Sequence, residues 1–235
     1  MALPFFYIGN LDAKSIVLDE DTSKHVVLVL RMKIGEELLL TDGKGKKAVA
    51  HIVDDNRKRC VVEIVSTEVD APPKRKVAVG ISIIKNSSRF EWFLEKATEI
   101  GVNEIYPLIC ERTEKEKFRY DRMNNIVVSA MLQSQQTWLP LMHEPIKFDQ
   151  LIQSGRYKQK FIAHCVESEK RSLLDYFSSE ANTSAMVLIG PEGDFTTNEI
   201  DLALHQDYKP VALGDTRLRT ETAGLVAATL LCIGH

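Results

Sequence analysis

Two apolar runs near the carboxyl end, each broken by a glycine turn, restrict this chain more than any other feature. Met186-Val187-Leu188-Ile189 enters Gly190-Pro191-Glu192-Gly193-Asp194-Phe195. Val211-Ala212-Leu213 enters Gly214-Asp215-Thr216-Arg217-Leu218-Arg219-Thr220-Glu221-Thr222-Ala223. Short apolar runs bounded by turn residues predict buried strands. A turn leaving the carboxyl end of a parallel strand is where open α/β sheets take ligands. Two such turns in one stretch can close on one ligand from two sides, and glycine lets the backbone approach it. Thr196 with Glu199 predicts a capping box that opens a helix. From Ala223 to Ile233 the chain is apolar almost all round, which predicts a helix buried in the core or against another subunit. A Gly-Pro-Glu-Gly turn alone is more often only a turn. The ligand reading rests on the joint pattern.

Upstream, the first ~70 residues are mostly strand-like. Glu37 to Thr41 and Lys47 to Val53 flank a hairpin connection at Asp42-Gly43-Lys44-Gly45-Lys46. Arg59 to Val65 and Phe5 to Ile8 are further strands. Ser23 to Met32 predicts one short helix with Val26, Val27 and Leu30 facing the core. Several strands and one helix suggest a small β-barrel. Ala71-Pro72-Pro73-Lys74-Arg75-Lys76 then marks a stiff, exposed linker.

Beyond it, strand-helix alternation predicts a parallel sheet of about five strands. Val77 to Ile84 is apolar and β-branched, as in a strand buried on both faces. Ser88 with Glu91 predicts a second capping box, and Gly101 a helix-ending glycine. Lys96 and Glu99 lie on the polar side of that helix. Pro107 within Glu104 to Ile109 suggests an edge or a strand end. Tyr120 to Gln136 is a long helix. Lys160 to Cys165 is a strand with His164 at its carboxyl end, where a histidine is more often structural than a ligand. The fold class is therefore α/β, with residues 1–72 a β-barrel domain and residues 73–235 a parallel-sheet domain.

Composition excludes several classes. No apolar run approaches the ~20 residues needed to span a bilayer, and no signal peptide is evident at the start. Cys60, Cys110, Cys165 and Cys232 are scattered and predict reduced core residues in a cytoplasmic protein. Neither they nor the histidines have metal-ligand spacing, so no metal is expected. A net charge of −3 argues against RNA binding by bulk charge. A reader of RNA would use local patches such as Lys44-Lys46-Lys47, Arg57-Lys58-Arg59, Lys74-Arg75-Lys76 or Lys115-Lys117-Arg119. Each of these is more often a solvated loop.

Taken together, His25 to Arg31, Asp42 to Gly45, Glu91-Trp92 with Glu95 to Val102, Gln133-Ser134, Gly190 to Phe195 and Leu218 to Ala223 carry a resemblance. The chain resembles the SPOUT, or α/β-knot, methyltransferases, and within them the 16S ribosomal RNA (uracil-N3) methyltransferase family. The resemblance implies S-adenosylmethionine as methyl donor and a PUA-like first domain that helps hold RNA. It also implies a C-terminal trefoil knot and a homodimer acting on 16S rRNA within the small ribosomal subunit. Chains almost never thread loops, so the knot is implied by the resemblance alone.

On this reading, cofactor contacts fall to Leu188, Ile189, Gly190, Gly193, Leu213, Gly214 and Leu218, with Thr220, Thr222 and Ala223 beside them. Glu221 is the candidate base for the uracil N3 proton, and Arg219 the candidate stabiliser of the uracil or its phosphate. The two can instead pair with each other. Phe195 either closes one side or fills core. Arg31, Lys33, Lys44 and Lys46 are placed to touch RNA phosphates, or are an ordinary charged surface. The target base is expected unstacked or single-stranded.

The chain departs from the family pattern at three places. Asp194 stands where a second glycine is common, Thr216 where an arginine is common after the Leu-Gly pair, and Gln135-Gln136-Thr137 where an arginine usually follows Gln-Ser. The alternatives are a SPOUT enzyme acting on another RNA such as transfer RNA, and a non-catalytic RNA-binding protein of the same fold. A Rossmann enzyme is disfavoured, because both G-x-G-x-x-G and G-x-x-x-x-G-K-[ST] are absent.

Overall fold

The structure, a computed structural model, describes residues 3–114, 117–167, 169–176 and 184–233. Lys115, in one of the expected basic patches, lies outside the described residues. The chain divides into two compact units, residues 1–72 with 131–139 and residues 73–130 with 140–235.

The first unit holds β1 (Phe5–Tyr7), β2 (Ser15–Val17), α1 (Glu20–Lys24), β3 (Glu37–Thr41), β4 (Lys46–Asp54) and β5 (Val61–Val69). The strands form a sheet in the order β1-β3-β4-β5-β2, antiparallel except where β1 meets β3. This curled half-barrel is the form the expected small barrel takes. Along β4, Ala48, Ala50 and Ile52 point inward and are essentially unexposed, the alternation a one-sided sheet requires. Residues 131–139 pack on the β3–β4 hairpin. A Cβ on Gly45, at φ +94°, would lie 2.5 Å from the Trp138 ring, so only glycine fits that turn.

The helix expected from Ser23 to Met32 starts earlier and ends differently. Asp19 caps α1, accepting from Thr22 N at 2.8 Å. Ser23 lies inside the helix and is fully buried, accepting from Cys60 N at 2.9 Å and donating to Leu18 O at 3.1 Å. One wide π-helical turn then spans His25–Val29, and Leu30 N donates to His25 O. A residue added to a turn rotates the later side chains off the buried face. Val26 is thus fully buried, but Leu30 is 41% exposed.

In the second unit, β6 (Val77–Ser82) is followed by α2 (Ser87–Ile100), β7 (Glu104–Ile109) and α3 (Tyr120–Gln133), which begins here. Next come the short strands β8 (Leu141–Met142) and β9 (Ile146–Lys147), α4 (Phe148–Ile152), β10 (Gln159–Ala163) and the short β11 (Arg171–Ser172). The run ends with β12 (Ala185–Ile189), α5 (Thr197–His205), β13 (Lys209–Ala212) and α6 (Thr220–Ile233). The sheet is parallel in the order β11-β13-β10-β12-β6-β7-β8, with β9 also on β7. Five of these strands exceed two residues, as the alternation predicts. Every residue of β6 and of β12 is buried. Gly80 in β6 makes room for Leu188 of β12, which a Cβ would meet at 2.8 Å.

Local signals fare unevenly. Gly101 ends α2 at φ +99°, and Thr196 with Glu199 closes the capping box of α5. The cap of α2 is Asn86, which accepts from Ser88 N, not a Ser88–Glu91 box. Glu91 instead takes two bonds, at 2.8 and 3.0 Å, from Arg122 of α3. Lys96 pairs with Glu95 and Glu99 on the solvated face of α2. Pro107 lies inside β7, yet its register partners on the outer side are interrupted there: β8 meets Glu104–Ile105 and β9 meets Leu108–Ile109. Proline cannot donate to a ladder, which accounts for the split edge strand. Arg75 is not part of an exposed linker. It is 6% exposed and donates to Gln159 Oε1 at 2.6 Å.

At the amino end of β7, Glu104 is 5% exposed. It pairs with Lys76 and accepts from Tyr106 at 2.6 Å and Tyr157 at 2.8 Å, with His143 Nε2 at 3.0 Å. Burial alone would raise its pKa. The bonds from Lys76, Tyr106, His143 and Tyr157 outweigh it and hold the carboxyl at about 2.

Candidate functional site

The carboxyl ends of β10, β12 and β13 release three turns on one side of the sheet, and α6 begins there. Two adjoining cavities, of about 290 and 480 Å3, open among them. They share a wall of Ala163, Cys165, Arg217, Leu218 and Ala223. The two glycine turns singled out from the sequence therefore meet.

The turn after β12 is built by short contacts. A Cβ on Gly190 would approach Phe195 N at 3.0 Å and its ring at 3.1 Å. Phe195 is core, 1% exposed and packed on Phe148. Asp194 adopts φ +65°, a conformation that glycine enters without strain and aspartate tolerates through local hydrogen bonds. Its Oδ1 accepts from Phe195 N at 2.9 Å and its Oδ2 from Cys165 N at 2.7 Å. The side chain thus ties the β12 turn to the β10 turn. Arg112, after β7, donates to Gly193 O at 2.7 Å, and Lys85 N donates to Glu192 at 3.2 Å. In the other turn, Gly214 stands at φ +145° in open space.

The smaller cavity is lined by Ile189, Gly190, Leu218, Arg219, Thr220, Glu221 and Ala223, together with Arg89 from the first turn of α2. Leu213 and Gly214 line the larger one, with His164 and Lys170. Three of the expected residues line neither cavity. Leu188 is fully buried in the core, Gly193 faces Arg112, and Thr222 is half-buried in α6 without lining either cavity. Arg219 and Glu221 do not pair with each other. Glu221, with a side chain 9% exposed, has Arg89 Nε at 3.6 Å from its Oε1. Arg219 is exposed at the rim.

Cys165 is exposed and lines both cavities, and Cys232 is only partly buried, so of the four expected core cysteines Cys60 and Cys110 are the buried ones. The strand ends one residue before His164, which turns Cys165 out. Burial and the nearby Lys170 hold the His164 imidazole below its usual pKa. Among the described residues no group of histidine, cysteine and carboxylate side chains could hold a metal ion, and no helix is long and apolar enough to cross a membrane.

The basic residues of the first unit are accounted for separately. Lys46 Nζ donates to Leu11 O and pairs with Asp12 at 3.2 Å. Lys33 Nζ lies 3.9 Å from Asp55. Arg31, at φ +57°, and Lys44 are exposed.

Arg89, Arg112 and Arg217 were not among the expected site residues. Arg89 looks like an ordinary charge at a helix start. Its one signal is position, in the turn that leaves the carboxyl end of an all-apolar strand.

Comparison with known proteins identifies the family. A family described as RNA methyltransferase domain matches residues 71–232, and one described as RNA methyltransferase PUA domain matches residues 18–65. Ribosomal RNA small subunit methyltransferase E of Synechocystis is 31% identical over 85% of this chain, which spans 66% of that relative's length. The crystal structure of a probable rRNA-methyltransferase from Porphyromonas gingivalis superposes with a TM-score of 0.89 at 36% identity, covering 96% of this chain and 95% of that one. A ribosomal RNA small subunit methyltransferase E from Neisseria gonorrhoeae, solved bound to S-adenosyl methionine, gives 0.84 at 27% identity, covering 97% and 95%. The match to residues 71–232 takes in every turn of the site, and the chain belongs to the RNA methyltransferase domain family.

Proposed function

We propose that this chain transfers a methyl group from S-adenosylmethionine to N3 of a uridine in 16S rRNA of the small ribosomal subunit. One observation carries the reading: the turns after β12 and β13, far from unique alone, share Leu218 and Arg217 as a common wall between two cavities. A donor can reach over that shared wall into both cavities, which leaves the Arg219 and Glu221 side of the smaller one for the acceptor. The fit to the donor is good. The cavities are of the size small-molecule sites have. Backbone-rich turns at Gly190 and Gly214 let main-chain groups reach adenosine. Glu192, Asp194 and Glu221 line the smaller cavity, which suits a positively charged sulfonium.

On this reading Ile189, Gly190, Leu213, Gly214 and Leu218 hold the cofactor, with Thr220 and Ala223 at the start of α6. Leu188 and Thr222 support it from behind, and Gly193 shapes the turn. When bound, the cofactor would supply an electrophilic methyl to the N3 electron pair, with the methyl–sulfur bonding pair left on sulfur. Glu221 accepts the N3 proton. Arg219 meets the uracil oxygens or the adjoining phosphate. Fixing both partners in line is the main contribution of the fold.

The first domain, residues 1–72 joined by residues 131–139, holds RNA through Arg31, Lys33, Lys44 and Lys46, and the rest of residues 73–235 forms the catalytic domain with a trefoil knot at its end. The enzyme acts as a homodimer in the cytoplasm. The test is methyl transfer to small subunits from cells lacking the activity, with the product mapped by mass spectrometry. 3-Methyluridine in 16S rRNA supports the proposal. Another modified nucleoside, another RNA, or no transfer would refute it.

A further inference from the structure

The function just proposed gives Glu221 a proton to accept, but does not say what aims its carboxylate. Glu221 is nearly enclosed, with a side chain 9% exposed. A carboxylate so enclosed needs a counter-charge or donors. Three arginines line its cavity, Arg89, Arg217 and Arg219, and Arg89 forms the ion pair.

The helices that carry the pair are locked at short range. Gly224 lies one turn after Glu221, and Phe93 one turn after Arg89. A Cβ on Gly224 would meet Phe93 Cε2 and Ile81 Cδ1, each at 2.8 Å. The glycine lets α6 sit directly on the Phe93 ring, and that contact sets the distance from Arg89 to Glu221. Asn86 caps α2 immediately upstream, so the arginine projects from a fixed helix end.

We propose that Arg89 is a positioning residue for methyl transfer. It holds the Glu221 carboxylate toward the N–H of the target base and leaves Arg219, at the rim, to meet the substrate. The inference rests on the methyl-transfer reading above. It adds a division of labour in which one arginine serves the base and the other serves the RNA.

Arg89→Met keeps the aliphatic stem and removes the charge, and Arg89→Lys keeps a charge on a shorter head. Both are compared with wild type, Glu221→Gln and the Arg89→Met/Glu221→Gln double variant. Measured are kcat and KM on small subunits, S-adenosylmethionine affinity by calorimetry, and melting temperature. Arg89→Met is expected to lower kcat by roughly tenfold to a hundredfold, with cofactor affinity changed by less than about threefold. The double variant is expected to be no slower than Glu221→Gln alone, because the pair acts as one unit. Arg89→Lys should recover part of the loss. Added guanidinium should restore activity to Arg89→Ala but not to Glu221→Gln, and this arm separates the role from a general loss of fold.

Wild-type kcat in Arg89→Met would overturn the proposal. So would losses that multiply in the double variant, or a fall confined to KM. A wild-type chain that binds the cofactor but methylates no RNA would instead refute the functional reading, and this one with it.

Discussion

Replacing Gly224 with alanine tests how tightly the fold sets the site. The added Cβ would lie 2.8 Å from Ile81 Cδ1, 2.8 Å from Phe93 Cε2 and 3.0 Å from Phe93 Cδ2. Carbon atoms rest at about 3.5–4.0 Å, so the neighbours must yield by well over half an ångström. The Ile81 methyl is a flexible end. The Phe93 ring is fully buried and has nowhere to swing, so α6 itself must move. Overpacking of this kind costs about 1–3 kcal/mol. Alanine in place of glycine returns about 1 kcal/mol of helix propensity. The net is a loss of roughly 1 kcal/mol, or about 2–4 °C in melting temperature for a chain of this size. Catalysis should suffer more, because a shift near 1 Å can slow a reaction about a hundredfold, and Glu221 rides on the displaced turn. Urea unfolding and single-turnover methyl transfer measure the two effects. A variant at least as stable as wild type and equally fast would show that α6 has slack against α2, and would refute the reasoning.

Three further outcomes are expected. Glu104→Gln should lose on the order of 3 kcal/mol at pH 7, from a carboxyl held at about 2 against an ordinary 4.5. Because its folded pKa is depressed, this stabilisation is complete above the ordinary value and disappears as pH falls toward 2. The gap between wild type and variant in urea unfolding should therefore narrow below about pH 4.5, and a gap independent of pH would contradict the assignment. Asp194→Gly should be more stable than Asp194→Ala by about 1 kcal/mol, since both lose the bonds to Phe195 and Cys165 but only glycine relaxes at φ +65°; equal unfolding midpoints would count against backbone strain there. Arg219→Ala should lose methyl transfer by about a hundredfold or more while its melting temperature holds, because the side chain is exposed; full activity removes Arg219 from the mechanism.

The sheet was legible because strands buried on both faces are continuous apolar runs, and β6 and β12 are of that kind. Turn chemistry was legible wherever a single residue type is required, as at Gly101 and Gly190. Helix starts were less so. Asp19 and Asn86 do the capping, while the nearby serines attracted the assignment, because several residues within one turn can offer an oxygen. The π-helical turn at His25–Val29 leaves no mark in hydrophobic spacing until it has already rotated Leu30 outward. β2, β8, β9 and β11 carry no period over two or three residues, and they lack the aromatic run that marks the equally short β1. The site divided in the same manner. Most of the candidates contiguous with the two turns line the cavities. Arg89 and Arg112 reach the site from turns about a hundred residues upstream in the chain, and nothing local to them announces it. The glycine usual in the family and the aspartate found here meet the same need, since Asp194 occupies the left-handed conformation and uses its carboxylate to bind the adjoining turn.

The central claim is that the turns after β12 and β13 make one pocket for a sulfonium cofactor. Its most direct test is a crystal structure of the chain grown with S-adenosylmethionine. The account predicts the cofactor seated between Gly190 and Leu218, its methyl directed toward Glu221 and Arg219 in the same cavity. Cofactor bound elsewhere on the chain, or lying against Gly190 with Leu218 turned away, would contradict it.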